Sequence, residues 1–264
     1  MQREKPVRSI DVRDVYHQEY FLRRVDGHDR FDAFDGTPAT LFARARRNFE
    51  LLDIQAGERF LDLGCGRGEV AITAGVAGAT AIGCDFSVDA VVLAQLKARS
   101  IEETLGRGIN VTFLCAVATD GPFRPNTFDK VLMSEFVEHV APQEITAILR
   151  NVWQWLRPGG RVLIYTYPNR WARRTYPLMR MYVRVKQGVD IGERPDDTLH
   201  PDYHKLHLNE QSYVSIHLAL RRAGFRHVRV WFDGHEPAGR SGALKRTLPY
   251  QLLFGANLAA EAVK

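Results

Sequence analysis

The sequence has little cysteine, and none of it is spaced for a metal or a disulfide framework. Cys65, Cys84 and Cys115 are an odd count without a CxxC pair, each at the end of an apolar run. They read as small buried thiols of a reducing compartment. Long apolar runs are missing too. None approaches the roughly 20 residues of a membrane span, and the charged opening MQREKPVRSIDVRD has no apolar centre of the kind a signal peptide needs. The expected location is therefore cytoplasmic. Internal repeats and low-complexity tracts are absent, and so is a strong charge imbalance: a net charge of +5 over 264 residues does not by itself announce a nucleic-acid binder. What is present is 45% hydrophobic residues, enough to fill the core of one large α/β domain.

Short apolar runs alternate with helical patterns from residue 59 to about 166, the signature of a parallel sheet built from βα units. Strands are expected at Arg59 to Leu63, Thr80 to Cys84, Asn110 to Cys115, Phe128 to Met133 and Gly160 to Thr166. Helices are expected at Glu69 to Ala77, Val88 to Leu105 and Pro142 to Leu156, the last stopped by Arg157-Pro158-Gly159-Gly160. Later, Glu210 to Ala223 reads as a helix ended by Gly224, and Arg226 to Phe232 as a strand; an edge strand is expected to begin near Tyr250. Upstream, Thr37-Pro38 opens a helix with Leu41, Phe42, Ala45, Phe49 and Leu52 on one face and Arg44, Arg46 and Arg47 off it. Tyr16, Tyr20, Phe21, Phe31 and Phe34 give the N-terminus too many aromatics for a free tail, and it is expected to pack over the ligand edge of the sheet. Four regions follow: an N-terminal helical cover (1–58), a cofactor-binding core (59–166), a lid or acceptor-binding insertion (167–208) and a C-terminal completion of the sheet (209–264).

The chemistry-bearing motif is Leu61-Asp62-Leu63-Gly64-Cys65-Gly66-Arg67-Gly68-Glu69, a strand running through three alternating glycines into a helix. Glycines at that spacing let the backbone turn sharply and let a ligand lie against main chain, with helix N–H groups free. A dinucleotide site wants GxGxxG, and this turn is one residue shorter. Asp62 at the strand end would also repel a pyrophosphate, whereas it suits a ligand with an ammonium group. S-adenosyl-L-methionine carries an ammonium, a sulfonium and no phosphate. Asp85 ends the second strand in GCDFS, where a carboxylate can accept two hydrogen bonds from a ribose diol, while Ser87 is placed to cap the helix that follows.

The run LDLGCGRGE, then GCDFS, then FDKVLMSEFVEHV, then LRPGG resembles the successive motifs of the class I methyltransferases, in the subgroup that methylates small molecules. It covers about Phe60 to Thr166. The resemblance implies a doubly wound α/β fold: a mostly parallel seven-stranded sheet with one antiparallel edge strand and helices on both faces. It further implies that Asp62 and the turn holding Gly64, Cys65, Gly66 and Gly68 bind the methionine moiety. Asp85 would bind the ribose hydroxyls, Phe86 would flank the adenine, and Ser134 after the fourth strand would join the cofactor contacts. The product would be S-adenosyl-L-homocysteine. Where the family usually holds the adenine amino group with an acidic residue, Val117 stands; the Ala118 amide can still meet the ring, and Asp120 is the nearest acid.

Methyl transfer from a sulfonium is an in-line displacement, so much of its acceleration comes from positioning, and a base is needed only where the acceptor loses a proton. In Ser134-Glu135-Phe136-Val137-Glu138-His139, His139 is the first candidate base, against the alternative of a histidine that packs under the cofactor. Glu135 and Glu138 come after it. His200, His204 and His207 form a second cluster without the strand or helix frame of a metal site, so no metal is expected; His204 or His207 is either a second base or an ordinary loop residue. Asn169 to Val189 holds six Arg or Lys and no acid, interleaved with Trp171, Tyr176 and Tyr182. That is either a solvated helix face or a mouth for an anionic or lipid-linked small-molecule acceptor, with peripheral membrane contact and no membrane span. O-methylation is the expected chemistry. The alternatives are N- or C-methylation, a macromolecular acceptor, and a non-catalytic cofactor sensor. Nucleic acid is not expected, because the Asn/Asp-Pro-Pro-aromatic tetrad of amino-directed nucleic-acid enzymes is missing after the fourth strand.

Overall fold

The structure, a computed structural model, describes residues 15–190, 192, 206–233, 250–252 and 255–264. Seven strands form one sheet: β1 (Arg59–Leu63), β2 (Thr80–Asp85), β3 (Val111–Cys115), β4 (Phe128–Ser134), β5 (Leu156–Thr166), β6 (Arg226–Phe232) and β7 (Leu258–Val263). Their order is β3-β2-β1-β4-β5-β7-β6. Strand order reverses at β1, where the first crossover goes to β2 on one side and a later one reaches β4 on the other, which opens a crevice at the carboxyl ends of these strands.

Among the described residues the α-helices are α1 (Gln18–Arg23), α2 (Ala43–Leu52), α3 (Glu69–Val76), α4 (Val88–Leu105), α5 (Ile145–Trp155), α6 (Arg170–Gln187) and α7 (Tyr213–Ala223). The period of two along each strand divides the core in two. Phe60, Leu132 and Leu163 point to one face and pack with Ala45 and Leu52 of α2, Ala71 and Ile72 of α3 and Ala94 and Ala98 of α4. Their neighbours Leu61, Val131, Met133, Val162 and Ile164 point to the other, against Ile148 and Val152 of α5 and Ile216 and Leu220 of α7. Both faces being covered explains why apolar residues follow one another without alternation at Phe60-Leu61 in β1 and from Val131 to Met133 in β4. Among the described residues no helix is long and apolar enough to cross a membrane.

The C-terminal strand departs from expectation. It begins at Leu258, and it is not an edge strand: β7 lies antiparallel between β5 and β6, leaving β6 and β3 at the edges. Its LAAEAV sequence is small-residue rich because both of its faces are covered. β5 begins earlier than expected, at Leu156. The residues Arg157 to Gly160 bulge out of register, between the pairs Phe128 with Leu156 and Lys130 with Arg161, before pairing resumes.

The helix expected to open at Thr37-Pro38 is split. Pro38–Thr40 form a single 3₁₀ turn, Leu41 is extended and 1% exposed, and α2 starts only at Ala43. The Arg46 side chain donates to the carbonyls of Pro38 and Leu41 at 3.0 and 3.1 Å, collecting acceptors that a continuous helix would have satisfied internally.

Candidate active site

The crevice at the carboxyl ends of β1, β2 and β4 is a cavity of about 820 Å³. Its floor is the glycine turn. Gly64, Gly66 and Gly68 all have positive φ, at 79°, 50° and 80°. A Cβ at Gly64 would stand 2.5 Å from the Phe136 ring and one at Gly68 2.5 Å from the Phe113 ring, so those two positions exclude any side chain. Gly66 meets nothing nearer than 3.8 Å, and it is where the turn opens to the cavity. Cys65 lines the floor beside it, its thiol pushed up by burial.

Three carboxyl groups surround this turn, all buried: Asp62, Glu69 and Asp85. Among the described residues only Glu69 has a cation, the Arg67 guanidinium at 2.6 Å. Burial, and then the neighbouring Glu69 and Asp85, push Asp62 up to about 8. A shift of that size disfavours its carboxylate by roughly 6 kcal/mol until positive charge arrives. Asp85 is raised by burial as well, although its oxygens accept from the backbone N–H groups of Gly66 and Ser87, both at 2.9 Å. Ser87 caps α4 as expected, accepting from Ala90 N–H while its hydroxyl donates to the Tyr16 carbonyl.

The remaining expected cofactor contacts gather along one wall. Phe86 and Val117 are exposed into the cavity, with Ala118 beneath and Thr119 beside them. Asp120 is exposed and does not line the cavity, so it is not the replacement acid for an adenine amino group. Ser134 reaches the same space from the end of β4, its hydroxyl accepting from Asn48 at 2.8 Å.

Opposite lies His139. It is half-buried in the cavity wall, and desolvation lowers it to about 4, so it is neutral at physiological pH. Its Nδ1 sits 3.1 Å from the Leu206 carbonyl oxygen and 3.0 Å from the Tyr16 hydroxyl. A carbonyl can only accept, so that contact places the ring proton on Nδ1 and leaves the lone pair on Nε2. His207 packs edge-on against it with ring centroids 4.9 Å apart. Glu135, in left-handed backbone at φ 50°, lines the cavity in an ion pair with Arg44.

Glu138 is not a site residue. It is fully buried, accepts from the Thr166 hydroxyl and the Tyr167 N–H, and does not line the cavity; it ties the β4 loop to the end of β5. His204, like His200, lies outside the described residues.

Three contributors escaped the sequence. Arg44 was read as lying off the apolar face, yet it lines the cavity over the Tyr165 ring. Tyr16 and Tyr20 were expected only as packing aromatics, and Tyr16 instead contacts His139. Arg67 sits inside the glycine motif, 3% exposed, donating to the carbonyls of Phe21 and Asp26 at 3.1 Å each while lying over the Phe31 ring. It stitches the N-terminal cover onto the floor of the site. Arg67→Met keeps the bulk and removes those bonds. Because burial already raises Glu69 towards taking up a proton, the expected cost is only about 2 kcal/mol. A melting temperature lower by roughly 5 °C and faster proteolytic cleavage within residues 15–34 would report it; an unchanged cleavage rate would show that the cover is held by its aromatics alone.

The arrangement fits a ligand with a cationic end over Asp62, a vicinal diol at Asp85 and a flat ring along Phe86 and Val117. Residues 60–160 match the family model described as "Methyltransferase domain". Phosphoethanolamine N-methyltransferase 1 of Triticum aestivum is 35% identical over 130 residues, 48% of this chain and 24% of that protein. The ubiquinone biosynthesis O-methyltransferase of Parvibaculum lavamentivorans is 34% identical over 126 residues, 48% of this chain and 44% of that protein. The chain thus spans less than half the length of these relatives. Among solved structures, Haemonchus contortus phosphoethanolamine N-methyltransferase 2 in complex with S-adenosyl-L-methionine superimposes with a TM-score of 0.59 at 18% identity, covering 94% of this chain and 59% of that one. This last likeness is one of fold.

Proposed function

We propose that this chain, which carries a class I methyltransferase domain at residues 60–160, transfers the methyl group of S-adenosyl-L-methionine to a small-molecule acceptor, at a hydroxyl or carboxylate oxygen. The observation that carries the reading is the left-handed GxGxG turn set between the unaccompanied Asp62 and Asp85, facing a neutral histidine across one cavity. When bound, S-adenosyl-L-methionine supplies an electrophilic methyl on its sulfonium, and the rest is the work of the chain. Asp62 and the turn hold the methionine end, Asp85 takes the ribose hydroxyls, and Phe86 with Val117 flanks the ring. Tyr16, Tyr20 and Phe21 close the cavity against water. His139 takes the acceptor's proton on Nε2 as the oxygen attacks, with Nδ1–H held by Leu206.

The matched stretch is the cofactor core, so the acceptors named for the relatives do not transfer with it. Titrating the protein with S-adenosyl-L-methionine and then measuring S-adenosyl-L-homocysteine over a panel of hydroxyl, carboxyl and amine acceptors tests the reading. Turnover on an oxygen acceptor supports it. Turnover only on amines would replace O- by N-methylation, and binding without turnover would leave a sensor.

Asp62 makes the binding pH-dependent. Free Asp62 holds its proton up to about pH 8. The bound ammonium selects the carboxylate, so binding releases that proton, and affinity is expected to rise up to about tenfold per unit between roughly pH 6 and 7.5. Calorimetric titration at pH 7 in buffers of different ionisation enthalpy should detect the released proton, and Asp62→Asn should abolish the release. A binding constant flat across that range would remove Asp62 from the site.

A further inference from the structure

Helix α6 leaves the carboxyl end of β5 directly after Tyr167, which lines the cavity, and is anchored at its start by Asn169, whose side chain accepts from Trp171 N–H and donates to the Gly255 carbonyl. Its eighteen residues contain no acid. Leu178, Met181, Tyr182 and Val185 recur at i, i+3, i+4 and i+7, so they share one face within about a 100° arc. A helix of a folded domain turns such a stripe inward. Here all four are exposed, Val185 by 78%, and from Arg170 to Lys186 no residue is buried. Arg184 and Arg170 border the stripe on one side and Lys186 on the other, and Arg174 stands within it; all four cations are exposed.

An outward apolar stripe flanked by exposed cations and free of acids, on a helix continuous with the mouth of the site, matches one kind of surface. We infer that α6 docks the protein on an anionic lipid bilayer, lying in the headgroup plane with Leu178, Met181 and Val185 in the acyl boundary, Tyr182 at the interface and the cations on lipid phosphates. The charge selects this occupant: a protein partner of the same apolar face would need no set of four exposed cations with no acid anywhere on the helix. The helix ends at Gly188, and Asp190, paired to Arg180, lies beyond it. This inference extends the catalytic reading without depending on it, because docking is measured without turnover.

The test is co-sedimentation with vesicles of phosphatidylcholine alone and of phosphatidylcholine with about a third phosphatidylglycerol. The protein is expected to bind the anionic vesicles at least about tenfold more tightly, and to come off as salt is raised from about 0.1 to about 0.5 M. Met181→Glu with Val185→Glu should abolish sedimentation, and Arg184→Glu with Lys186→Glu should weaken it. Since these side chains are exposed, the melting temperature of each variant should match the parent, which separates lost docking from lost fold. The inference is overturned if the protein stays in the supernatant, or if the Met181→Glu, Val185→Glu pair binds as well as the parent. It is equally overturned if analytical ultracentrifugation shows a dimer that this pair of substitutions dissociates, for then the stripe belongs to a second copy.

Discussion

Asp85→Ala is expected to weaken S-adenosyl-L-methionine binding by about a thousandfold, because two hydrogen bonds to a charged acceptor disappear together. The carboxylate stands at the end of β2 with each oxygen already taking one backbone N–H, from Gly66 and from Ser87, and each keeps lone-pair capacity towards the cavity. Asp85→Asn, which can accept one ribose hydrogen bond but not two, should fall between, at roughly tenfold. Isothermal titration with the donor and with S-adenosyl-L-homocysteine measures both. If Asp85→Ala bound the donor within a few-fold of the parent while melting normally, the ribose would have to lie elsewhere and the proposed orientation of the ligand would be wrong.

His139→Ala should lower kcat on an oxygen acceptor by about a hundred- to ten-thousandfold, the range of a lost general base, while leaving donor affinity nearly unchanged. Burial sets the pH signature. With the imidazole at about 4, kcat/KM for the acceptor, measured at saturating donor so that Asp62 does not contribute, should stay level as pH falls from 8 to about 5 and decline only below that, not near the 6.5 of an unperturbed histidine. Tyr16→Phe, which removes a hydroxyl beside Nδ1 but leaves the Leu206 contact, should cost much less. Undiminished turnover in His139→Ala would reduce the histidine to packing between Tyr16 and His207, and the acceleration would then rest on positioning alone.

Much of this was legible in the sequence, and the parts that were not share a cause. The limits of β1, α4 and β6 were readable to the residue, because apolar periodicity and the caps Ser87 and Gly224 are local signals. The glycine turn and the two aspartates announced the ligand end of the sheet for the same reason. The place of β7 was hidden. Whether a C-terminal strand inserts beside β5 or lies outside β6 depends on how the chain returns, and six residues with three alanines carry no mark of it. The split before α2 was hidden as well, since a distant side chain on the next turn, Arg46, makes the break tolerable. Arg44 and Arg67 show the same limit for the site. Arginine in a sequence reads as solvated charge, and only the fold reveals that one guanidinium lines the cavity and the other is buried under the cover.

The position of Arg67 bears on how such domains can be recombined. The residue belongs to the most recognisable stretch of the chain, yet its hydrogen-bond acceptors are the main-chain carbonyls of Phe21 and Asp26. A chimera joining residues 59–166 to another protein's N-terminal segment would keep the glycine turn and both aspartates and still leave the buried guanidinium with Glu69 alone, short of its two carbonyl acceptors, at the floor of the crevice. Exchange of parts therefore has to respect a seam that runs through the glycine turn itself, with the N-terminal cover and the turn moved together.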